Sequence, residues 1–142
     1  KLTGGYGTTG QAGRENYINN GQNFGFGLED PDEKLEVNGN VKATDMIATS
    51  DIRLKNVIGG VSNALSTVNK LNAIRYTWKD KEDDREQIGF SAQEVLELVP
   101  EAVYGSEETE YGISYGKLVP VLVEAIKELT AEVEALKKKV GD

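Results

Sequence analysis

The sequence predicts an α+β protein of small strands and short helices, with a coiled-coil helix at its C-terminus and a β-rich segment at its start. Three observations predict it. Val119, Leu122, Ile126, Leu129, Val133, Leu136 and Val140 recur at alternating spacings of three and four, which is the a/d seam of a three-heptad coiled coil. Residues 61–113 hold both helical and period-two apolar patterns in short pieces, as a small α+β unit does. The first fifty residues hold 9 of the 16 glycines, a density that makes helix costly and suits strands and turns.

The elements follow in chain order. Asn38-Gly39 sits between Leu35, Val37 and Val41, a signal for a hairpin or tight turn. The alternation from Leu35 to Ile47 reads as strand rather than disordered linker. Glu29, Asp30, Asp32 and Glu33 flank Pro31 and read as a turn. So few large apolar residues cannot build a core alone, and burial is expected from identical neighbouring chains.

Beyond residue 50, Val61, Leu65, Val68 and Leu71 predict a helix over 61–71. Ile74, Tyr76 and Trp78 alternate as a strand, Asp80 to Glu86 form a polar turn, and Ile88-Gly89-Phe90 returns. Ser91 and Glu94 form a capping box at the start of a helix that ends before Pro100. Two short strands are expected around Ser106-Glu107-Glu108. The last helix should begin close to Pro120 and carry the seam over about 119–140. Glu132 at g and Lys137 at the following e are placed for an interhelical ion pair, and Val/Ile at a with Leu at d favours a parallel dimer.

Composition narrows the chemistry. The chain has no Cys and no His, so a disulfide framework, a Ser-His-Asp triad and a His-ligated metal are excluded within it. A net charge of −8 opposes binding to nucleic-acid phosphates. The longest uninterrupted apolar run is three residues, Val121 to Val123, so neither a membrane-spanning helix nor a signal peptide is expected. The chain begins at Lys1 rather than Met, and is expected to be part of something longer.

Without His or Cys, acid–base work falls to carboxylates, Lys or Tyr. Ser50 and Lys55 are a candidate nucleophile and base. A lysine with the ordinary pKa near 10.4 is a poor base at neutral pH, and desolvation or a neighbouring cation such as Arg53 would have to lower it. By spacing alone, a loop serine followed by a solvated lysine is the better reading. Asp80, Glu82, Asp83, Asp84 and Glu86 lack the glycine and distal glutamate of a calcium loop. Tyr76 and Trp78 are expected in strand-core packing, and no phosphate-binding glycine loop is present. No cofactor and no metal are expected.

Several blocks together carry a resemblance. Ser50-Asp51-x-Arg53-Leu54-Lys55-Asn56-x-Ile58, Tyr76-x-Trp78, residues 88–95 (IGFSAQEV), Val99-Pro100-Glu101-Ala102-Val103, Ser114-Tyr115-x-Lys117-Leu118-Val119 and residues 123–129 (VEAIKEL) occur in that order. The region resembles the C-terminal intramolecular chaperone of bacteriophage tail fibres and tailspikes, the endosialidase-type self-cleaving peptidase family. Residues 24–47 are similar to the fibre segment that often precedes this domain, and Pro120 replaces the apolar residue usual there.

The resemblance implies an organisation and a chemistry. Residues 1–49 would be the end of a fibre, an intertwined β-rich trimer, and residues 50–142 the chaperone with its trimeric coiled coil. Ser50 would be the nucleophile and Lys55 the base of a dyad acting once in cis. The cut would fall between Thr49 and Ser50, or as a second choice between Ser50 and Asp51. The partners implied are two further copies of the chain, the upstream fibre segment and a host surface receptor reached through the mature fibre. No nucleic acid and no membrane insertion are implied. The mature part would be in the virion, while the chaperone would act in the host cytoplasm and be released. The alternatives are a non-cleaving trimerisation and receptor-binding foot, and the self-cleaving linker of a membrane-tethered transcription factor. The absence of a basic DNA-binding region opposes the latter.

Overall fold

A computed structural model of the chain describes residues 23–79 and 85–141. The glycine-rich Gly4 to Gly7 stretch and positions 80–84 of the expected polar turn lie outside the described residues. The chain forms two compact units, Lys1–Thr49 and Ser50–Asp142.

In the first unit, strand β1 (Phe24–Phe26) pairs with β2 (Leu35–Val37), and the pairing is parallel. Phe24 stands opposite Leu35 and Phe26 opposite Val37. Parallel neighbours usually need a longer crossover. Here Gly27, at φ +76, starts the turn that brings the chain round, and the ladder closes at both ends through Phe24 N–H to Lys34 O and Asn38 N–H to Phe26 O. Of the hairpin or tight turn expected at Asn38-Gly39, the structure adopts the tight turn. Those residues make a tight turn after β2, with Gly39 N–H on Val37 O. The Asn38 side chain donates to Gly27 O, so it is tied to the turn after β1. The strand does not continue: residues 38–49 hold no regular structure, and Val41, Met46 and Ile47 are exposed. The acidic residues around Pro31 do form the connecting loop, where Asp32 N–H donates to a Glu36 carboxylate oxygen at 2.8 Å. A two-stranded ribbon of three-residue strands is too small to be stable by itself.

The second unit contains α1 (Ala64–Val68), the antiparallel pair β3 (Ile74–Tyr76) and β4 (Gln87–Gly89), α2 (Ala92–Leu98), the antiparallel pair β5 (Val103–Ser106) and β6 (Glu110–Ile113), and α3 (Leu118–Val140). The structure is therefore mixed helix and small strands ending in one long helix. Helix α1 is much shorter than the 61–71 expected. Asn63 is left-handed at φ 55, which stops the helix upstream. Downstream, Lys70 N–H and Leu71 N–H bond three residues back, tightening the last turn. Strand β4 ends at Gly89 because Phe90 N–H donates to the Tyr115 hydroxyl and not to the ladder.

Helix α2 begins where expected, but the capping box is not made. Ser91 Oγ donates to the Gln93 side chain, and the Glu94 carboxylate accepts from the backbone and side chain of Asn72. Pro120 is the third residue of α3, where its missing N–H has no intrahelical acceptor to lose.

The core is thin. Ala64, Val95, Val99, Ala102, Leu118, Val121 and Ala125 are buried, and Val95 is the largest fully buried side chain. Leu65, Val68, Leu71, Phe90, Leu98, Val103 and Ile113 pack around them. Helix α3 contributes Leu118, Val121 and Ala125, a stripe one residue out of step with the heptad seam. Glu128 continues that stripe, and its carboxylate accepts Ala64 N–H and Leu65 N–H at 3.0 and 2.8 Å, at the N-terminus of α1. The helix therefore has two apolar stripes: one buried within the unit, the other left open. All seven seam residues are exposed, from 40% at Val133 to 84% at Val140.

The turn between β5 and β6 depends on Gly105. It sits at φ +86, and a Cβ there would lie 1.9 Å from the Glu110 carbonyl oxygen. Gly105→Ala is expected to destabilise the unit by about 2 kcal/mol or more, from left-handed strain plus that clash. A thermal melt should fall by about 10 °C; an unchanged melt would show that the hairpin can rearrange freely.

Candidate functional site

The site is built from one turn. Asp51 is extended (φ −65, ψ 127) and starts a single 3-10 turn, Ile52–Leu54. Leu54 N–H bonds to Asp51 O and Lys55 N–H to Ile52 O, both at 3.1 Å. Asp51 Oδ1 accepts Arg53 N–H at 2.9 Å, capping the turn through its side chain. The same carboxylate holds the Arg53 guanidinium through Nε and Nη2. That pairing, chiefly the side-chain hydrogen bonds and then the backbone one, keeps the Asp51 carboxyl below the usual aspartate range and raises Arg53 further.

Lys55 leaves the turn in extended conformation. Its ammonium Nζ donates to Ser50 Oγ at 2.7 Å. The two predicted dyad residues are thus brought into direct contact, at a distance suited to proton transfer. Both are exposed. Arg53, the neighbouring cation of the sequence reading, is paired with the Asp51 carboxylate. In one chain the Ser50–Lys55 pair is open to water.

The segment that carries the pair is equally open. Ile52, Leu54, Val57 and Ile58 are exposed, and residues 55–63 have no regular structure. The segment runs into α1 at Ala64, the point held by Glu128. The seam pattern does not mark Glu128 as the residue that holds the start of α1. Its signal lies in the second stripe, 118, 121, 125 and 128. Tyr76 and Trp78, expected in the core, instead meet edge-on at 5.4 Å and line an open groove of about 1060 Å³ with Phe90, Tyr111 and Tyr115.

Residues 50–104 match the family model of a peptidase family described as the chaperone of endosialidase. The match starts at Ser50, the first residue of the second compact unit. Residues 50–104 belong to the endosialidase-chaperone family. The chain is also 34% identical over 131 residues to the long tail fiber protein Gp37 of Enterobacteria phage K3, an alignment covering 87% of this chain and 10% of that protein. With Gp37 of Enterobacteria phage T2 it is 33% identical over 108 residues, covering 71% of this chain and 8% of that one. The chain thus spans about a tenth of the length of these relatives. Within the endosialidase-chaperone domain, the 3-10 turn with its Ser–Lys contact lies at the very start of the matched region. Among the described residues, no helix is long and apolar enough to cross a membrane.

Proposed function

We propose that residues 50–142 are an intramolecular assembly chaperone of a phage tail fibre, that residues 1–49 are the end of that fibre, and that the chaperone releases itself by a single cut at Ser50. The contact of Lys55 Nζ with Ser50 Oγ at 2.7 Å, at the first residues of the endosialidase-chaperone domain, carries the proposal. The likeness to phage long tail fiber proteins supplies the setting.

In the cut, neutral Lys55 takes the Ser50 hydroxyl proton while Oγ attacks the Thr49 carbonyl carbon. The Thr49–Ser50 C–N bond breaks as the proton passes to the departing amine, leaving Thr49 esterified to Ser50 Oγ. Water hydrolyses the ester, restoring the hydroxyl and freeing the Thr49 carboxylate. Nucleophile and carbonyl are neighbours on one chain, so proximity is supplied without substrate binding.

Three copies joined through the open seam of α3 would raise the effective concentration of three fibre ends. Fibre ends made of non-local pairings nucleate slowly, and a chaperone that sets their register removes that delay. After the cut, the fibre would be held by its unfolding barrier. Host-receptor contact belongs to the mature fibre.

Electrophoresis and mass spectrometry of the purified chain test the proposal. Fragments of 49 and 93 residues, Lys1–Thr49 and Ser50–Asp142, support a cut before Ser50. A first fragment one residue longer moves the cut to Ser50–Asp51. A chain that assembles and stays whole indicates a non-cleaving foot. Lys55→Arg should remain uncut, because arginine keeps the charge but cannot act as a base. Normal processing of that variant would remove Lys55 from the chemistry.

A further inference from the structure

We infer that Asp51 is the positioning residue of the Ser50–Lys55 pair: its carboxylate holds the 3-10 turn that brings the two side chains together. The inference rests on the self-cleavage reading above and adds a residue to it. Ser50 and Lys55 are five positions apart and touch because the intervening chain reverses over Ile52–Leu54. That reversal has two backbone hydrogen bonds, both at 3.1 Å. A three-residue 3-10 turn exposed to water is weakly held by such bonds alone. Asp51 adds the bond from Arg53 N–H and, through the same carboxylate, fastens the Arg53 side chain across the turn.

The carboxylate has a second consequence. Arg53 is the nearest cation in sequence to Lys55, and Asp51 balances its charge. Asp51 thus sets the geometry of the turn and holds the Arg53 side chain against it.

The test compares Asp51→Ala and Asp51→Asn in the full chain, as single-turnover cleavage rates across pH after assembly. Asparagine keeps an oxygen able to accept Arg53 N–H; alanine does not. Asp51→Ala should cleave at least tenfold more slowly at every pH with the oligomer mass unchanged. Asp51→Asn should recover most of the rate with the same pH midpoint. An alanine variant within twofold of the parent overturns the inference. So does an asparagine variant as slow as alanine with a displaced midpoint, which would make the role one of charge. Solvent-exchange NMR of the Arg53 amide in the Ser50→Ala background separates this from the reading beneath it. Adding Asp51→Ala there should speed exchange at least tenfold, whether or not the parent cleaves; an unchanged rate overturns the positioning role. A parent that never cuts, with that amide still protected by Asp51, sinks the self-cleavage reading alone.

Discussion

Ser50→Ala is expected to give a single full-length chain in an oligomer of three times 15.5 kDa, with cleavage lowered by about a thousandfold or more. Without the hydroxyl there is no atom to carry the Thr49 acyl group, so the two-step route is closed. The side chain is exposed and, among the described residues, its one polar contact is with Lys55, so its removal leaves no cavity and no buried unpaired group. A time course of band intensities measures the loss, and light scattering checks the mass. Continued cutting at the same bond would assign the chemistry to another group.

Replacing Ile126 and Leu129 together by Asp is the second large effect. In one chain these side chains are 64% and 48% exposed, so the double variant should keep the fold of the unit, with α3 still seated through Leu118, Val121 and Ala125. In the assembly it would place unpaired carboxylates in an apolar seam, at a cost of several kcal/mol per copy, on the order of the net stability of a small domain. In the uncut Ser50→Ala background, the mass by light scattering should fall from three times 15.5 kDa to 15.5 kDa. Cleavage should fall with it, because the Ser50–Lys55 pair is open to water in one chain. A monomeric variant that still cuts would separate assembly from chemistry. A Ser50→Ala mass of twice 15.5 kDa would replace the trimer by the dimer that Val and Ile at a, with Leu at d, favour.

How far the sequence could be read depended on whether a signal was local. The C-terminal helix and its seam follow from spacing within one segment. The strand starting at Ile74, the helix following Ser91 and the hairpin around Ser106 to Thr109 also show in local patterning, to within a residue or two. The capping box illustrates the limit. Ser91 and Glu94 have the right spacing, yet Glu94 serves Asn72 instead, a partner twenty-two positions away. Helix α1 reads as residues 61–71 in sequence, but the left-handed Asn63 delays its start and the tightened turn after Val68 ends it, leaving five residues. Asn38-Gly39 carries a strong hairpin signal, but the strand before it found its partner upstream, in parallel.

The contact of Ser50 with Lys55 was suggested by family likeness and by elimination of His and Cys, since a Ser and a Lys five apart carry little information alone. Asp51 enters the sequence reading only as one side of the second-choice cleavage bond, and Glu128 only within the block 123–129. Each acts through hydrogen bonds to backbone N–H groups, and a backbone N–H has no signature in sequence.

By itself, the sequence determined which residues have apolar periodicity, which chemistry is impossible without Cys or His, and that α3 has a stripe suited to a partner. These follow from side-chain identity and repeat length, which are local properties. Tertiary structure alone decided that α3 buries its second stripe within the unit, that Glu128 caps α1, and that β1 and β2 run parallel. Each of those depends on which groups meet across the chain, and competing partners for a carboxylate, a strand edge or a helix face differ in energy only after the chain has folded.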